Sequence, residues 1–382
     1  MLVRFNRENF NSFLIVLFMF SSAICLPIHI LTKSGFMIWI VTFGILFASL
    51  LINKFIFNKK FLNISLVLII IFLINLTFFN FKNIIINIFI EFIKFALIPL
   101  YLTSQDYSFK KVIYYWYRVG IINFIIWLFM IIFVIRGRVD YMFFGVYMTY
   151  SFIIFIYNYY KMKKKKDLAM SIISLGSIFM FGNRAAWAIC GVIWLYLYII
   201  SNKKSINKFI VKCLILSISI LVLYNNFIYI MSSLQSFLLR VNINSYSINK
   251  LINAYNNGFI TTMSGRDELY SVAIEIIKNN NLKPLGIGYF RVVTGSAYPH
   301  NFILEYIITF GILGLVVLPF IVWYLYKKYS RLKSEKKLVS NLLIIFIIIR
   351  LSMSSSFFIE SMLWILLGFL IFDREICNKE IE

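Results

Sequence analysis

The chain contains 382 residues, of which 61% are apolar, 19% aromatic and only 14% charged. This composition excludes a water-soluble domain, which is about 45 to 50% apolar and about 25% charged. The surplus apolar surface requires the hydrocarbon of a lipid bilayer as its solvent. The 38 basic and 15 acidic residues give a net charge of +23. Because the basic residues form short clusters between apolar runs, they indicate cytoplasmic loops and not a nucleic-acid partner.

The fold class is therefore predicted to be an all-α polytopic membrane protein. Several apolar runs could each supply the roughly 20 residues of a spanning helix. These runs cover 10–31, 35–57, 61–81, 84–102, 112–135, 142–160, 168–182, 185–200, 209–230, 300–326, 338–351 and 357–372. This pattern predicts about 12 transmembrane helices. Helices 1 to 9 occupy residues 1–230, one long loop occupies residues 231–299, and helices 10 to 12 with a tail occupy residues 300–382.

Lysine and arginine collect in alternate loops. The loops of one side carry Lys59 and Lys60, Lys110 and Lys111, Lys161 to Lys166, Lys203 to Lys212 and Lys327 to Lys337. Those of the other side carry only Lys33, Lys82, Arg136 and Arg138. Since positively charged loops stay in the cytoplasm, both termini are predicted to be cytoplasmic and residues 231–299 to lie on the outer face. The first apolar run is long and lacks an A-x-A cleavage site, which predicts a retained helix.

The long loop divides into two halves. Its first half is rich in Asn, Ser and Tyr and is predicted to be irregular. Its second half contains apolar residues at i, i+3, i+4 and i+7, which predicts one short amphipathic helix; these residues are Leu269, Val272, Ala273 and Ile276. Ser264 and Asp267 are spaced as a capping box that opens this helix, and the stretch 279–284 closes it. A turn around Gly286 and Gly288 then leads to the next span.

Arg184 lies at the outer junction between two predicted spans, and charges inside membranes are candidates for function. The alternative is an arginine that snorkels to the lipid headgroups. Arg350 is a weaker candidate of the same kind. Glu91 and Lys94 are three residues apart on one helix face, which predicts that they neutralise each other.

Arg266 lies in the first turn of the predicted loop helix. The free amides and positive dipole end of a helix N-terminus attract anions, and a guanidinium beside them offers two parallel donors to a phosphate. Together they predict a pyrophosphate-binding site. The alternative is that Arg266 pairs with Asp267 or Glu268 on the surface.

His300 lies at the membrane boundary, where the span after the loop begins. Histidine exchanges a proton near neutral pH without a large shift of its pKa, which makes His300 the candidate general base. The alternative is a solvated interfacial histidine, and we assign His29, the only other histidine, to that class.

Motifs for cofactors and metals are not found in the sequence. Gly286 and Gly288 begin a GxGxxG pattern, but Arg291 occupies the third glycine position. The chain has neither a P-loop nor an Asp-x-Asp pair, and its four cysteines show no metal-binding spacing. We therefore expect no cofactor and no metal, and any activated sugar should be carried on a lipid.

The order of these motifs resembles the O-antigen polymerase and ligase superfamily, which includes the Wzy-type polysaccharide polymerases. The resemblance consists of an arginine at an outer helix junction, an outer loop with Ser-Gly-Arg, a Pro-x-Gly-x-Gly turn, and His-Asn-x-x-Leu before a glycine-containing helix. The matching residues are Arg184, Ser264 to Arg266, Pro284 to Gly288, His300, Asn301, Leu304, Gly311 and Gly314. The junction reads Gly-Asn-Arg here, where the family often has Ser-x-Ser-Arg.

The resemblance implies a metal-independent glycosyltransferase on the outer face of the bacterial cytoplasmic membrane. Its donor would be an undecaprenyl-pyrophosphate-linked oligosaccharide. Arg184 and Arg266 would bind the pyrophosphate, and His300 would act as the general base in a displacement that inverts the anomeric carbon. Further candidates for substrate binding are Asn301, Arg291, Tyr298 and Arg350.

Three functions remain open from the sequence. We favour a polymerase that joins repeat units into O-antigen or capsule, with a chain-length regulator as a further candidate partner. A ligase that transfers the glycan to lipid A core would use the same residues. A lipid-linked glycan transporter or flippase without catalysis is the alternative of another class, but the long outer loop is unexplained by transport alone.

Overall fold

The computed structural model describes residues 6–32, 36–200, 221–222, 225–240, 245–256 and 266–372. These residues form helices joined by turns and short irregular segments, and no strand is found among them. The all-α class predicted from composition is therefore confirmed. Part of the ninth predicted span and the capping residue Ser264 lie outside the described residues.

The helices follow one another in chain order with short connections. They are α1 (Arg7–Thr32), α2 (Phe36–Ile52), α3 (Lys59–Phe78), α4 (Lys82–Phe92), α5 (Ile98–Ser104), α6 (Phe109–Ile135), α7 (Tyr141–Met162), α8 (Lys165–Phe181), α9 (Arg184–Ile200), α10 (Phe227–Arg240), α11 (Tyr246–Asn256), α12 (Arg266–Asn279), α13 (Tyr289–Thr294), α14 (Phe302–Ser330), α15 (Ser334–Met353) and α16 (Ser361–Ile371). A π-helical turn, Ile93–Leu97, joins α4 to α5.

Six helical segments of the described chain are long and apolar enough to cross a membrane. They are Arg7–Ile30, Lys59–Phe78, Lys82–Ser104, Phe109–Ile135, Tyr141–Met162 and Phe302–Ser330. Three shorter apolar helices are α2, α9 and α16. The chain is therefore a multi-pass membrane protein, and the predicted number of about 12 spans stays a prediction.

The chain forms two compact units. The first contains Met1–Cys25, Ser34–Tyr115 and Gly265–Glu382, and the second contains Leu26–Lys33 and Trp116–Ser264. Because the first unit joins distant parts of the sequence, residues near the C-terminus pack with helices from the N-terminal third.

In the second unit, the described residues of the first half of the predicted loop are mostly helical, so the expectation of irregular structure is wrong for them. Helices α10 and α11 occupy most of its described part. Their apolar faces form one buried cluster that includes Met231, Leu238, Ile248 and Leu251. Burial of these residues outweighs the weak helix propensity of the intervening Asn and Ser residues.

In the first unit, the apolar stripe noted in the sequence lies on α12. Ala273 and Ile276 are buried together with Phe290 of α13 and Ile308 of α14, and Leu269 and Val272 pack against this cluster. The apolar stripe therefore attaches the helix to the start of the following span.

A break in α14 lies at Gly311, whose φ of 57° and ψ of −147° are not helical. The segment 282–286, which we call the strap, supplies the hydrogen bonds that the helix loses there. Leu285 and Gly286 donate to the carbonyls of Ile308 and Thr309 at 3.0 and 3.2 Å, and Ile312 donates to the carbonyl of Leu282 at 2.8 Å. Non-helical backbone is tolerated at membrane depth only where such partners exist.

Gly311→Ala is expected to destabilise the protein. A Cβ at this position would overlap the carbonyl oxygen of Leu282 in the strap, and the positive φ is itself unfavourable for alanine. The expected loss is about 1 to 3 kcal/mol, measured as a lower thermal unfolding temperature in detergent. Gly44→Ala on α2 is the matched control, because a Cβ there would meet no atom within 4 Å. Equal stability of the two variants would contradict this account of the break.

The Glu91 and Lys94 side chains form the predicted pair. Lys94 Nζ lies 2.9 Å from Glu91 Oε2, and the ammonium also lies 4.2 Å from the centre of the Trp39 ring. Their neutralisation within one helix is therefore confirmed.

Candidate active site

His300 is held in an unusual backbone conformation immediately before α14. Its φ is 56°, a left-handed value that is uncommon for residues other than glycine, and Tyr270 of α12 donates a hydrogen bond to its carbonyl at 3.3 Å. The imidazole packs edge-on against the Tyr298 ring, with 4.6 Å between the ring centres. Its Nδ1 is buried and has no hydrogen-bond partner among the described residues. The backbone and the ring are therefore both held by tyrosines, and no group of the described chain hydrogen-bonds to Nδ1.

Arg266 is the first residue of α12, and its side chain is half-buried. Within the described chain, no ion pair joins it to Asp267 or Glu268, so the surface pairing considered from the sequence is not formed. Its positive charge acts on both Tyr298 and His300. The structure therefore brings Arg266 into the surroundings of the predicted base.

Arg350 reaches the same surroundings from the last turn of α15. Its Nη1 donates to Ser354 Oγ at 2.6 Å, and its Nε lies 3.3 Å from Glu360 Oε2. The Tyr298 hydroxyl donates to the carbonyl of Ser354 at 2.8 Å. The turn 354–356 between α15 and α16, which we call the serine turn, therefore connects Arg350 to the tyrosine that packs on His300.

The electrostatic surroundings keep the imidazole neutral. Burial lowers the pKa of His300, and the positive charges of Arg266 and Arg350 lower it further. Burial raises the pKa of Tyr298, so its hydroxyl stays protonated and donates. Since a general base must be unprotonated before it acts, this arrangement suits His300 to accept a proton near neutral pH.

Two acidic side chains in this region were not predicted. Half-buried Glu305, in the first turn of α14, accepts a hydrogen bond from Ser356 Oγ at 2.5 Å, and buried Glu360 pairs with Arg350. Glu305 could have been found as an acidic residue within an apolar run. The signal for Glu360 is a run of three serines that interrupts a second apolar run shortly before it.

The other predicted substrate ligands are placed differently. Asn301 caps α14, since its Oδ1 accepts hydrogen bonds from the amides of Ile303 and Leu304 at 3.0 and 3.3 Å. Arg291 is exposed on α13 and is not among the charges that shift the pKa of His300. Their roles in substrate binding stay predictions.

Arg184 belongs to the second unit, where it begins α9. The preceding Asn183 accepts a hydrogen bond from the Ala186 amide at 2.8 Å, which caps the helix. Ser247 of α11 donates to the carbonyl of Gly182 at 2.8 Å, and a Cβ on Gly145 of α7 would lie 2.8 Å from the Asn183 nitrogen. The junction is therefore tightly packed around a half-buried arginine.

Comparison with known proteins gives a family match over part of the chain. Residues 169–319 match a family model described as O-Antigen ligase, and this range includes Arg184, Arg266 and His300. No curated protein and no solved structure matches the chain. Over residues 169–319, this multi-pass membrane protein is therefore similar to the O-antigen ligase family, and the resemblance to the O-antigen polymerase and ligase superfamily is confirmed.

Proposed function

We propose that the protein is a polysaccharide polymerase of the bacterial cytoplasmic membrane. It joins undecaprenyl-pyrophosphate-linked oligosaccharide repeat units into O-antigen or capsule on the outer face. The observation that carries the proposal is the arrangement around His300, where an imidazole whose Nδ1 has no hydrogen-bond partner among the described residues packs on Tyr298 within the field of the Arg266 guanidinium. Such a set can remove a proton from a hydroxyl and stabilise negative charge on a leaving group.

The proposed reaction is a single displacement. A sugar hydroxyl of one repeat unit attacks the anomeric carbon of another, its proton passes to the imidazole of His300, and the bond from that carbon to the pyrophosphate oxygen breaks. The electron pair leaves with undecaprenyl pyrophosphate, whose growing charge Arg266 stabilises. Arg184 is proposed as a second pyrophosphate ligand. Attack opposite to the leaving group inverts the anomeric carbon.

A ligase is the second candidate function, favoured by the description of the matched family as O-Antigen ligase. It would transfer the finished glycan from the same lipid to lipid A core with the same three residues. The difference between the two activities lies in the acceptor.

Reconstitution of the purified protein in liposomes with a lipid-linked repeat unit alone distinguishes these functions. A ladder of lengthened glycans is the expected result and identifies a polymerase. Inertness until lipid A core is added would identify a ligase. Movement of the lipid-linked unit between leaflets without a new glycosidic bond would identify a flippase and contradict the proposal.

Chelation of divalent cations is expected to leave the rate of chain extension unchanged. The leaving group is stabilised by guanidinium groups in the proposed scheme, and no group of three or more metal-binding side chains is found in the described part of the chain. The rate is measured with and without EDTA in the reconstituted system. Loss of activity that added Mg²⁺ or Mn²⁺ restores would contradict the metal-independent scheme.

A further inference from the structure

The charge of Arg350 is already engaged within the protein. Its partner Glu360 is 3.3 Å away, and the two side chains are only 17% and 6% exposed. Separating them would leave each charge buried without a counter-ion, so the pair holds a fixed geometry. A guanidinium bonded in this way is poorly suited to the substrate-binding role predicted for it.

The pair is connected to the candidate base by direct contacts. Arg350 donates to the side chain of Ser354, whose carbonyl accepts the hydrogen bond of Tyr298. The Tyr298 ring packs edge-on against the imidazole of His300. The orientation of the imidazole therefore depends on a tyrosine that is anchored to the serine turn, and the serine turn is held by the ion pair.

We propose that Glu360 is a positioning residue. By holding Arg350 against the serine turn, it fixes Tyr298 and, through that ring, keeps the His300 imidazole in the orientation that accepts the proton. The inference rests on the proposed glycosyl transfer and extends it to residues that touch neither the sugar nor the pyrophosphate.

Glu360→Gln and Tyr298→Phe test the connection. The first removes the charge but keeps the shape of the side chain. The second keeps the ring against His300 but removes the hydrogen bond to Ser354. Each is expected to lower the rate of chain extension by about 10- to 100-fold, because small displacements of a reacting group are costly. Glu360→Asp should recover part of the loss, since it keeps the carboxylate.

The double variant Glu360→Gln with Tyr298→Phe is expected to be no slower than the slower single variant, since the two residues act in series. Glu91→Gln is the matched control. It also breaks an ion pair of the first unit, but that pair is the one between Glu91 and Lys94. It should extend chains at the wild-type rate. The amount of each variant in the membrane is measured alongside.

The pH dependence separates positioning from a folding defect. The charges of Arg266 and Arg350 act on both Tyr298 and His300, whereas those of Glu305 and Glu360 act on Tyr298. Tyr270 of α12 donates to the backbone carbonyl of His300. Because Arg350 disfavours the imidazolium, Arg350→Gln should move the acid limb of the pH–activity profile to higher pH. Glu360→Gln removes the counter-ion of Arg350 and should move it to lower pH.

The positioning role would be overturned by wild-type rates in both Glu360→Gln and Tyr298→Phe together with an unmoved acid limb. That result would leave the proposed function intact. A defect of folding alone would lower activity at every pH without moving the limb, and this result would also overturn it. Absence of chain extension by the wild-type protein would instead overturn the proposed function, and the positioning role with it.

Discussion

His300→Ala is expected to lower the rate of chain extension by about 10²- to 10⁴-fold, the usual contribution of a positioned general base. The imidazole packs against Tyr298, Tyr270 donates to the backbone carbonyl of His300, and the Nδ1 of the ring has no hydrogen-bond partner in the described chain. The measurement is the length distribution of glycans made by the reconstituted variant, at a protein amount matched to the wild type.

His29→Ala is the matched control, since His29 is the other histidine of the chain and belongs to the second unit. It should give the wild-type ladder. A wild-type ladder from His300→Ala would refute the assignment of the base, whereas equal losses in the two variants would indicate a general sensitivity of the protein to histidine replacement.

Arg266→Ala is expected to lower the rate by about 10²- to 10³-fold, comparable to the removal of one oxyanion-stabilising group. Arg266→Lys should also be impaired, because an ammonium lacks the planar pair of donors that matches a phosphate. Rates are measured at saturating donor, so that a change in the chemical step is separated from weaker binding.

Lys278→Ala is the control for Arg266, because Lys278 is an exposed cation at the opposite end of the same helix. It should retain the wild-type rate. Full activity of Arg266→Lys would contradict paired donation to the pyrophosphate and leave only a requirement for positive charge.

Local patterns predicted the parts of the fold that depend on neighbouring residues. The apolar stripe containing Leu269 and Ile276 predicts α12, because the spacing of its residues repeats within a few helical turns and is visible in the local sequence. The short spacing of Glu91 and Lys94 predicts their ion pair for the same reason. In contrast, α10 and α11 were missed because their stability comes from packing against α8 and α9, which local propensity does not represent.

The candidate site was predicted in its components but not in its connections. A histidine at a membrane boundary, an arginine in the first turn of a loop helix and an arginine within an apolar span are recognisable from the sequence, so His300, Arg266 and Arg350 could be selected. The contacts of Arg350 with Glu360 and of Tyr298 with Ser354 could not, because they depend on how α15 and α16 pack beside residues before α14. Asn301 could have been assigned as a helix cap, since it begins an apolar run.

The interruption of α14 at Gly311 bears on how the protein is assembled in the membrane. Hydrocarbon offers no donor to the carbonyls of Ile308 and Thr309, and the strap provides both. Because the strap precedes α14 in the chain, it is synthesised first and must be available when that helix enters the bilayer. Biogenesis of this part of the chain should therefore proceed as one cooperative event, in which the strap and the helix that it completes mature together.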